Sequence, residues 1–182
     1  MSIAIVGVLE DETMFKENSL ENIRYATIKG NDVANGPGVR VSLYVQGCPH
    51  HCKGCFNEET WDFDGGELLT TSVMSKIMAI ATTPHISGLS ILGGEPFAQN
   101  LDLLLDFINK FKAAVGKPIW MWTGYLYEDL IQNEKAKKIL DSIDVLVDGP
   151  FVESKKNLLL KYRGSYNQRV LNPKTGEVII DD

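Results

Sequence analysis

Cysteine is almost absent from this chain. Its three copies all fall between Cys48 and Cys55, and the rest of the 182 residues has none. Secreted disulfide frameworks use an even, dispersed set, so that class is excluded. Histidine is scarce too: of three copies, His50 and His51 sit inside the cysteine stretch and His85 stands alone. No apolar run approaches the ~18 residues that suggest a membrane-spanning helix. Met1 to Glu10 carries no basic stretch and is interrupted by Gly7 and Glu10, so it does not read as a secretion signal. Positive charge is not in excess either, with 18 Lys and Arg against 24 Asp and Glu and a net charge of −6. That balance argues against nucleic acid or an anionic membrane as the main partner, but not against a nucleotide-sized ligand. A cytoplasmic location is the expectation.

Hydrophobic residues make up 44% of the chain, enough for one real core. A weak strand signal runs over Asn22–Ile28, followed by a loop from Asn31 to Gly38 with Asn35-Gly36-Pro37-Gly38 as turn chemistry. Val41, Leu43 and Val45 alternate with Ser42, Tyr44 and Gln46, which suits a strand ending at the cysteines. Thr70 or Thr71 can cap a helix bearing Val73, Ile77, Ile80 and Ala81 on one face. Ile86–Leu92 reads as a strand. Asn100 can cap a second helix, with Leu101, Leu104, Leu105 and Ile108 at helical spacing and Gly116 and Pro118 at its end. Ile119–Trp122 is a further strand. A helical stretch follows from about Tyr125 to Ser142, with a break near Asn133, and then a strand over Val145–Val147. Alternating strands and helices predict parallel strands joined by right-handed crossovers. The units are too few for a closed eight-fold barrel. The expected fold is α/β, a partial open βα barrel with a mostly parallel curved sheet, and ligands gather at the carboxyl ends of such strands.

The chemistry is concentrated in Gln46-Gly47-Cys48-Pro49-His50-His51-Cys52-Lys53-Gly54-Cys55-Phe56-Asn57. A 4Fe–4S cluster normally takes four thiolates. Three would leave one iron open to a chelating small molecule, and the amino and carboxylate groups of S-adenosylmethionine suit that position. An electron from the reduced cluster can then split a carbon–sulfur bond and release a 5′-deoxyadenosyl radical. Gly47, Pro49 and Gly54 let a short loop wrap such a group. Zinc held by the three cysteines with His50 or His51 is the alternative, although zinc ligands usually come as two separated pairs. The second motif, Gly93-Gly94-Glu95-Pro96, ends a strand. Its glycines allow close backbone approach to a ligand, and Glu95 can accept from an ammonium group.

These words together make a resemblance. Cys-x-x-x-Cys-x-x-Cys followed by Phe56 is similar to the radical S-adenosylmethionine superfamily. Asn35-Gly36-Pro37-Gly38-Val39-Arg40, Cys55-Phe56-Asn57, Thr60-Trp61-Asp62, Trp122-Thr123-Gly124-Tyr125, Asp148-Gly149-Pro150-Phe151 and Asn167-Gln168-Arg169 resemble the activating proteins of anaerobic ribonucleoside-triphosphate reductase. The resemblance runs from about Asn31 to Arg169. It implies a radical S-adenosylmethionine domain over residues 31–182, with residues 1–30 as an extension packed on it in a single domain. It also implies a glycyl-radical activase with Cys48, Cys52 and Cys55 as ligands of a 4Fe–4S cluster. Gly54, Phe56, Gly93, Gly94 and Glu95 would contact S-adenosyl-L-methionine. The implied partners are the reductase and an external one-electron donor of flavodoxin type.

Other residues carry ordinary readings beside functional ones. Trp120, Met121 and Trp122 read as strand core, with Thr123 and Gly124 at the strand end within possible reach of a ribose. Asp148 is a turn cap or a site residue. Arg40, Arg163 and Arg169 are solvated or bind a carboxylate. Lys135, Lys137 and Lys138 form a wet helix face, and His50 and His51 decorate the loop surface.

Overall fold

A computed structural model describes residues 22–180. Among these residues eight strands form one open sheet, accompanied by four α-helices. In order they are β1 (Arg24–Asp32), β2 (Val39–Val45), β3 (Glu67–Leu68), α1 (Thr71–Ala81), β4 (Ile86–Gly93), α2 (Leu101–Val115), β5 (Ile119–Trp122), α3 (Tyr127–Leu130), α4 (Glu134–Ser142), β6 (Val145–Asp148), β7 (Arg169–Leu171) and β8 (Val178–Ile180).

The helices start where the sequence supplies caps. Thr70 Oγ1 accepts from the Val73 N–H at 3.3 Å to open α1. Asn100 Oδ1 accepts from Asp102 and Leu103, both at 3.1 Å, to open α2. Gly116, in the left-handed conformation at φ 69°, closes α2. Asn133 opens α4 by accepting from Lys135 and Ala136, so the expected break near Asn133 is a new helix start. Leu104, Phe107, Ile108 and Phe111 on α2 are fully buried, as are Ile77 and Ala81 on α1. Ile80, expected on the same face as these, is 38% exposed.

The strand order is β3-β1-β2-β4-β5-β6-β7-β8. The central run β2-β4-β5-β6 is parallel, each step crossing over through helix. The expectation of a mostly parallel sheet is corrected at both flanks, where β3·β1, β1·β2, β6·β7 and β7·β8 are all antiparallel. For β1·β2 and β7·β8 the physical reason is connection length: a parallel pair needs a crossover of a dozen or more residues, and only six separate the strands of each pair. The sheet is therefore mixed. The boundary at residue 30 falls within β1, and the remainder of the proposed extension, residues 1–21, lies outside the described residues.

Each parallel strand shows its two faces differently. Val41, Leu43, Val45, Leu89, Ile91, Ile119, Met121 and Leu146 join the large core with the helices. Alternate positions, among them Arg40, Tyr44, Ser90, Leu92, Trp120 and Val147, point to the opposite face. There Trp120, Val145, Val147 and Val170 form a smaller cluster, with Trp122 and Tyr162 against it. Among the described residues, no helix is long and apolar enough to cross a membrane.

Candidate metal centre

The carboxyl ends of β2, β4, β5 and β6 converge on a cavity of about 410 Å³. That is within the usual ~300–1,000 Å³ range of small-molecule sites. Cys48, Cys52 and Cys55 all line it, and all are free thiols. Phe56, Gly93, Gly94 and Glu95 line it as well. Gly54 is not on the wall; its backbone, at φ 70°, brings the Glu153 carboxylate to 2.9 Å from where a Cβ would stand.

The cysteine loop leaves β2 through Gly47, at φ 100°. Its path is fixed by backbone hydrogen bonds. Gly47 N–H donates to Thr60 at 2.7 Å, Cys48 N–H to Trp61 at 3.1 Å, and Cys55 N–H to Cys52 at 3.1 Å. The Asn57 N–H donates to Cys55 Sγ at 3.3 Å, the kind of contact that tunes a metal-bound thiolate. Burial pushes the Cys48 thiol up to about 12 and raises Cys52 as well.

The Gly-Gly pair serves the protein's own packing. A Cβ on Gly94 would lie 2.4 Å from the Gly47 carbonyl oxygen, and one on Gly93 would lie 2.8 Å from the Tyr44 Cα. Gly94 N–H donates to Val45 and Glu95 N–H to Gly47, both at 2.8 Å. The bare backbone of β4 thus seats the root of the cysteine loop.

Glu95 is 1% exposed and its carboxylate holds four contacts. Oε1 accepts from the Phe97 N–H at 3.0 Å and from Thr123 Oγ1 at 2.8 Å. Oε2 accepts from the Gly124 N–H at 2.7 Å and pairs with His50 Nε2 at 2.9 Å. A carboxylate offers about four acceptor positions, so all of Glu95 is used within the protein. His50 is therefore not a loop decoration. It joins the cysteine loop to β5, stacks edge-on against Tyr125 at 4.5 Å between ring centroids, and fills the space a Gly124 Cβ would need, 2.5 Å from its Cδ2.

The zinc alternative finds no support in the histidines. His51 is stacked on Trp61, with ring centroids 4.7 Å apart, and His50 is taken by Glu95. Among the described residues, no group of three or more His, Cys, Asp and Glu side chains is arranged to hold a single metal ion. Three free thiols on one cavity, with amide support at Cys55 and no histidine available beside them, are the donor set expected for a cluster with three protein ligands.

Two arginines and an aspartate that had both an ordinary and a functional reading take structural roles. Arg40 is buried beneath the cavity and donates to Ser90 Oγ at 2.7 Å and to the Leu89 and Pro118 carbonyls at 2.8 and 3.0 Å. Arg169 bridges buried Asp148 and exposed Glu128, while Asp148 also accepts from the Tyr127 N–H at 2.8 Å. Tyr44, Trp122 and Tyr162 line the cavity without having been singled out as site residues. For Tyr44 and Trp122 the signal is the period-2 face of β2 and β5, visible only once the sheet is assembled; Tyr162, between β6 and β7, carries no such pattern.

Comparison with known proteins agrees with this arrangement. The model of a 4Fe-4S single cluster domain matches residues 34–171. Anaerobic ribonucleoside-triphosphate reductase-activating proteins are similar over most of their length. That of Salmonella typhimurium is 41% identical over 152 residues, covering 81% of this chain and 97% of the relative. That of Escherichia coli K12 is 40% identical over 143 residues, with 76% and 92% covered. That of phage T4 is 38% identical over 158 residues, with 85% and 97% covered. With its thiols gathered at the strand ends and this degree of similarity, the chain belongs to the family of anaerobic ribonucleoside-triphosphate reductase-activating proteins.

Proposed function

We propose that this chain generates a glycyl radical on an anaerobic ribonucleoside-triphosphate reductase, using a 4Fe–4S cluster and S-adenosyl-L-methionine. The observation that carries the proposal is the presence of three free thiols and the Gly93-Gly94-Glu95 strand end on one cavity wall. Cys48, Cys52 and Cys55 would hold the cluster. When bound and reduced, such a cluster supplies one electron to the sulfonium, giving methionine and a 5′-deoxyadenosyl radical that takes a hydrogen atom from the reductase glycine.

The chain's own part is to hold and shield. The loop hydrogen bonds and the His50–Glu95 contact keep the thiols on one wall. Gly93, Gly94 and Phe56 would border the ligand, and Gly54, set back from the wall, would reach it only through the turn it makes between Cys52 and Cys55. Glu95 would reach an ammonium only by giving up one of its present donors. Tyr44, Leu92 and Trp122 make the inner wall and exclude water from the reacting atoms. The open mixed sheet is read as a partial βα barrel of the radical S-adenosylmethionine type, and residues 31–182 with their N-terminal extension as one domain. A flavodoxin-like protein would deliver the electron, in the cytoplasm, with neither nucleic acid nor membrane as partner.

The test is anaerobic reconstitution with iron and sulfide. The expected content is four irons and four sulfides per chain, S-adenosylmethionine cleavage on reduction, and a glycyl radical signal by electron paramagnetic resonance when reductase is added. Cys55→Ala should abolish cleavage while leaving the fold largely intact. One equivalent of zinc without iron or sulfide would sink the proposal.

A further inference from the structure

The segment beyond β6 contains the most exposed leucines among the described residues. Leu158 is 77% and Leu159 is 88% exposed, while Tyr166 is 61% and Phe56 is 52% exposed. Singly, exposed apolar residues need no explanation. These four are grouped on one hairpin-like turn and its neighbour. Lys156 bridges to Ser165, Tyr166 N–H donates to the Lys155 carbonyl, and Gly164 packs under Phe56 and Phe151. Leu158 and Phe56 also line the cavity, so apolar side chains stand both on the site wall and on the turn outside it.

The turn is held in this posture. Tyr162 adopts a left-handed backbone, φ 63°, which is unfavourable for a bulky residue. It is fixed there by the Trp122 indole N–H, which donates to its carbonyl at 2.7 Å, and by edge contact with Trp120 at 5.0 Å. The leucines are thus presented outward from a rigid base.

Charge identifies what fits on them. The chain is acidic overall, at −6, yet Lys155, Lys156 and Lys161 flank the leucines on this turn. The outer side of this turn is therefore cationic and apolar together.

We propose that the 155–166 turn is the docking edge for a loop of the partner reductase, one bearing apolar side chains next to carboxylates. The inference rests on the function proposed above, since a loop delivering a glycine to the cavity must cross this turn. Attraction between these lysines and the carboxylates of the loop would fix which way it runs.

The experiment is a Lys155→Glu/Leu159→Ser double variant; neither residue lines the cavity. Binding to reductase should weaken ten-fold or more, most markedly at low salt. The glycyl radical yield at limiting reductase should fall in step. Cleavage of S-adenosylmethionine by reduced protein alone should equal wild type. Unchanged reductase affinity would overturn the proposal. So would a variant that loses only self-association in sedimentation, because the turn would then face a second copy. Absence of cleavage in the wild type would instead count against the proposed function, while the binding comparison would still decide the docking edge.

Discussion

His50 and Glu95, 45 positions apart in sequence, meet at 2.9 Å between Nε2 and Oε2, and their contact joins the cysteine loop to the end of β4. The same carboxylate gathers Thr123 and Gly124 from the end of β5. One buried side chain thus ties together three segments that surround the cavity.

Replacing Glu95 should accordingly cost more than replacing its partner. Glu95→Ala strands the Phe97 and Gly124 N–H groups and the Thr123 hydroxyl, for a loss of ~3 kcal/mol or more. His50→Ala removes one hydrogen bond and the Tyr125 ring contact at a partly exposed position and should cost about 1–2 kcal/mol. Thermal or urea unfolding of the cluster-free variants reads the difference. Equal losses would mean that the histidine, not the carboxylate, organises the three segments.

Gly94→Ala should be among the most damaging small substitutions in the chain. Its Cβ would meet the Gly47 and Val45 carbonyl oxygens at 2.4 and 2.9 Å, and neither backbone can move without dislodging the cysteine loop. The expected loss is about 3 kcal/mol, with reduced iron uptake. Gly30→Ala is the control. Its Cβ finds only Ile80 side-chain atoms, at 3.6 Å and beyond, and stability should stay within ~0.5 kcal/mol of wild type or rise slightly.

The Arg169 pair predicts a pH dependence. Hydrogen bonding from Arg169 holds the Glu128 carboxyl below its ordinary value of 4.5. A depressed carboxyl stabilises the fold above its unfolded value and loses that contribution as the pH falls through the folded one. Glu128 is 59% exposed, so solvent screening limits the effect to under ~1 kcal/mol. Between pH 5 and ~3, wild-type stability should fall more than that of Glu128→Gln. Arg169→Met is the severe variant at neutral pH, because it leaves Asp148 buried without its cation, at a cost of ~3–5 kcal/mol. Parallel pH curves for wild type and Glu128→Gln would remove Glu128 from this account.

Arg40 is fully buried with backbone carbonyls and a serine as its acceptors, and burial pushes its guanidinium down to about 10. Space for it comes from Gly36 and Gly88, where added Cβ atoms would each approach it to 2.8 Å. One ammonium cannot serve three acceptors in a fork, so Arg40→Lys should lose ~2 kcal/mol despite conserving charge. Urea unfolding would show it; a shift under ~0.5 kcal/mol would mean that the charge alone matters.

What could be read in advance was local. Asn100 and Gly116 bracket α2 because capping is a matter of a few neighbouring residues, and the Asn133 break followed from the same chemistry. The crowding of all three cysteines into one loop predicted a shared site from spacing alone, and the structure sets all three on one cavity. The flanks were harder. β7 and β8 are three residues each, too short to show alternation, and their antiparallel pairing depends on where the chain turns after Asp148. Glu95 was singled out from its strand-end motif, but its partners come from the loop before it and the strand after it, and no spacing rule links 50, 95 and 123. Arg169 and Asp148 were noticed separately; only the register that sets them opposite each other reveals the pair.

The amide–carbonyl contacts at Gly47, Cys48 and Cys55 use no atom that an incoming inorganic group would need. The nest for the sulfurs is thus built from polypeptide alone. If the cluster proposed above is held there, stripping it with a chelator should leave the loop in place, unlike small domains that collapse around their metal.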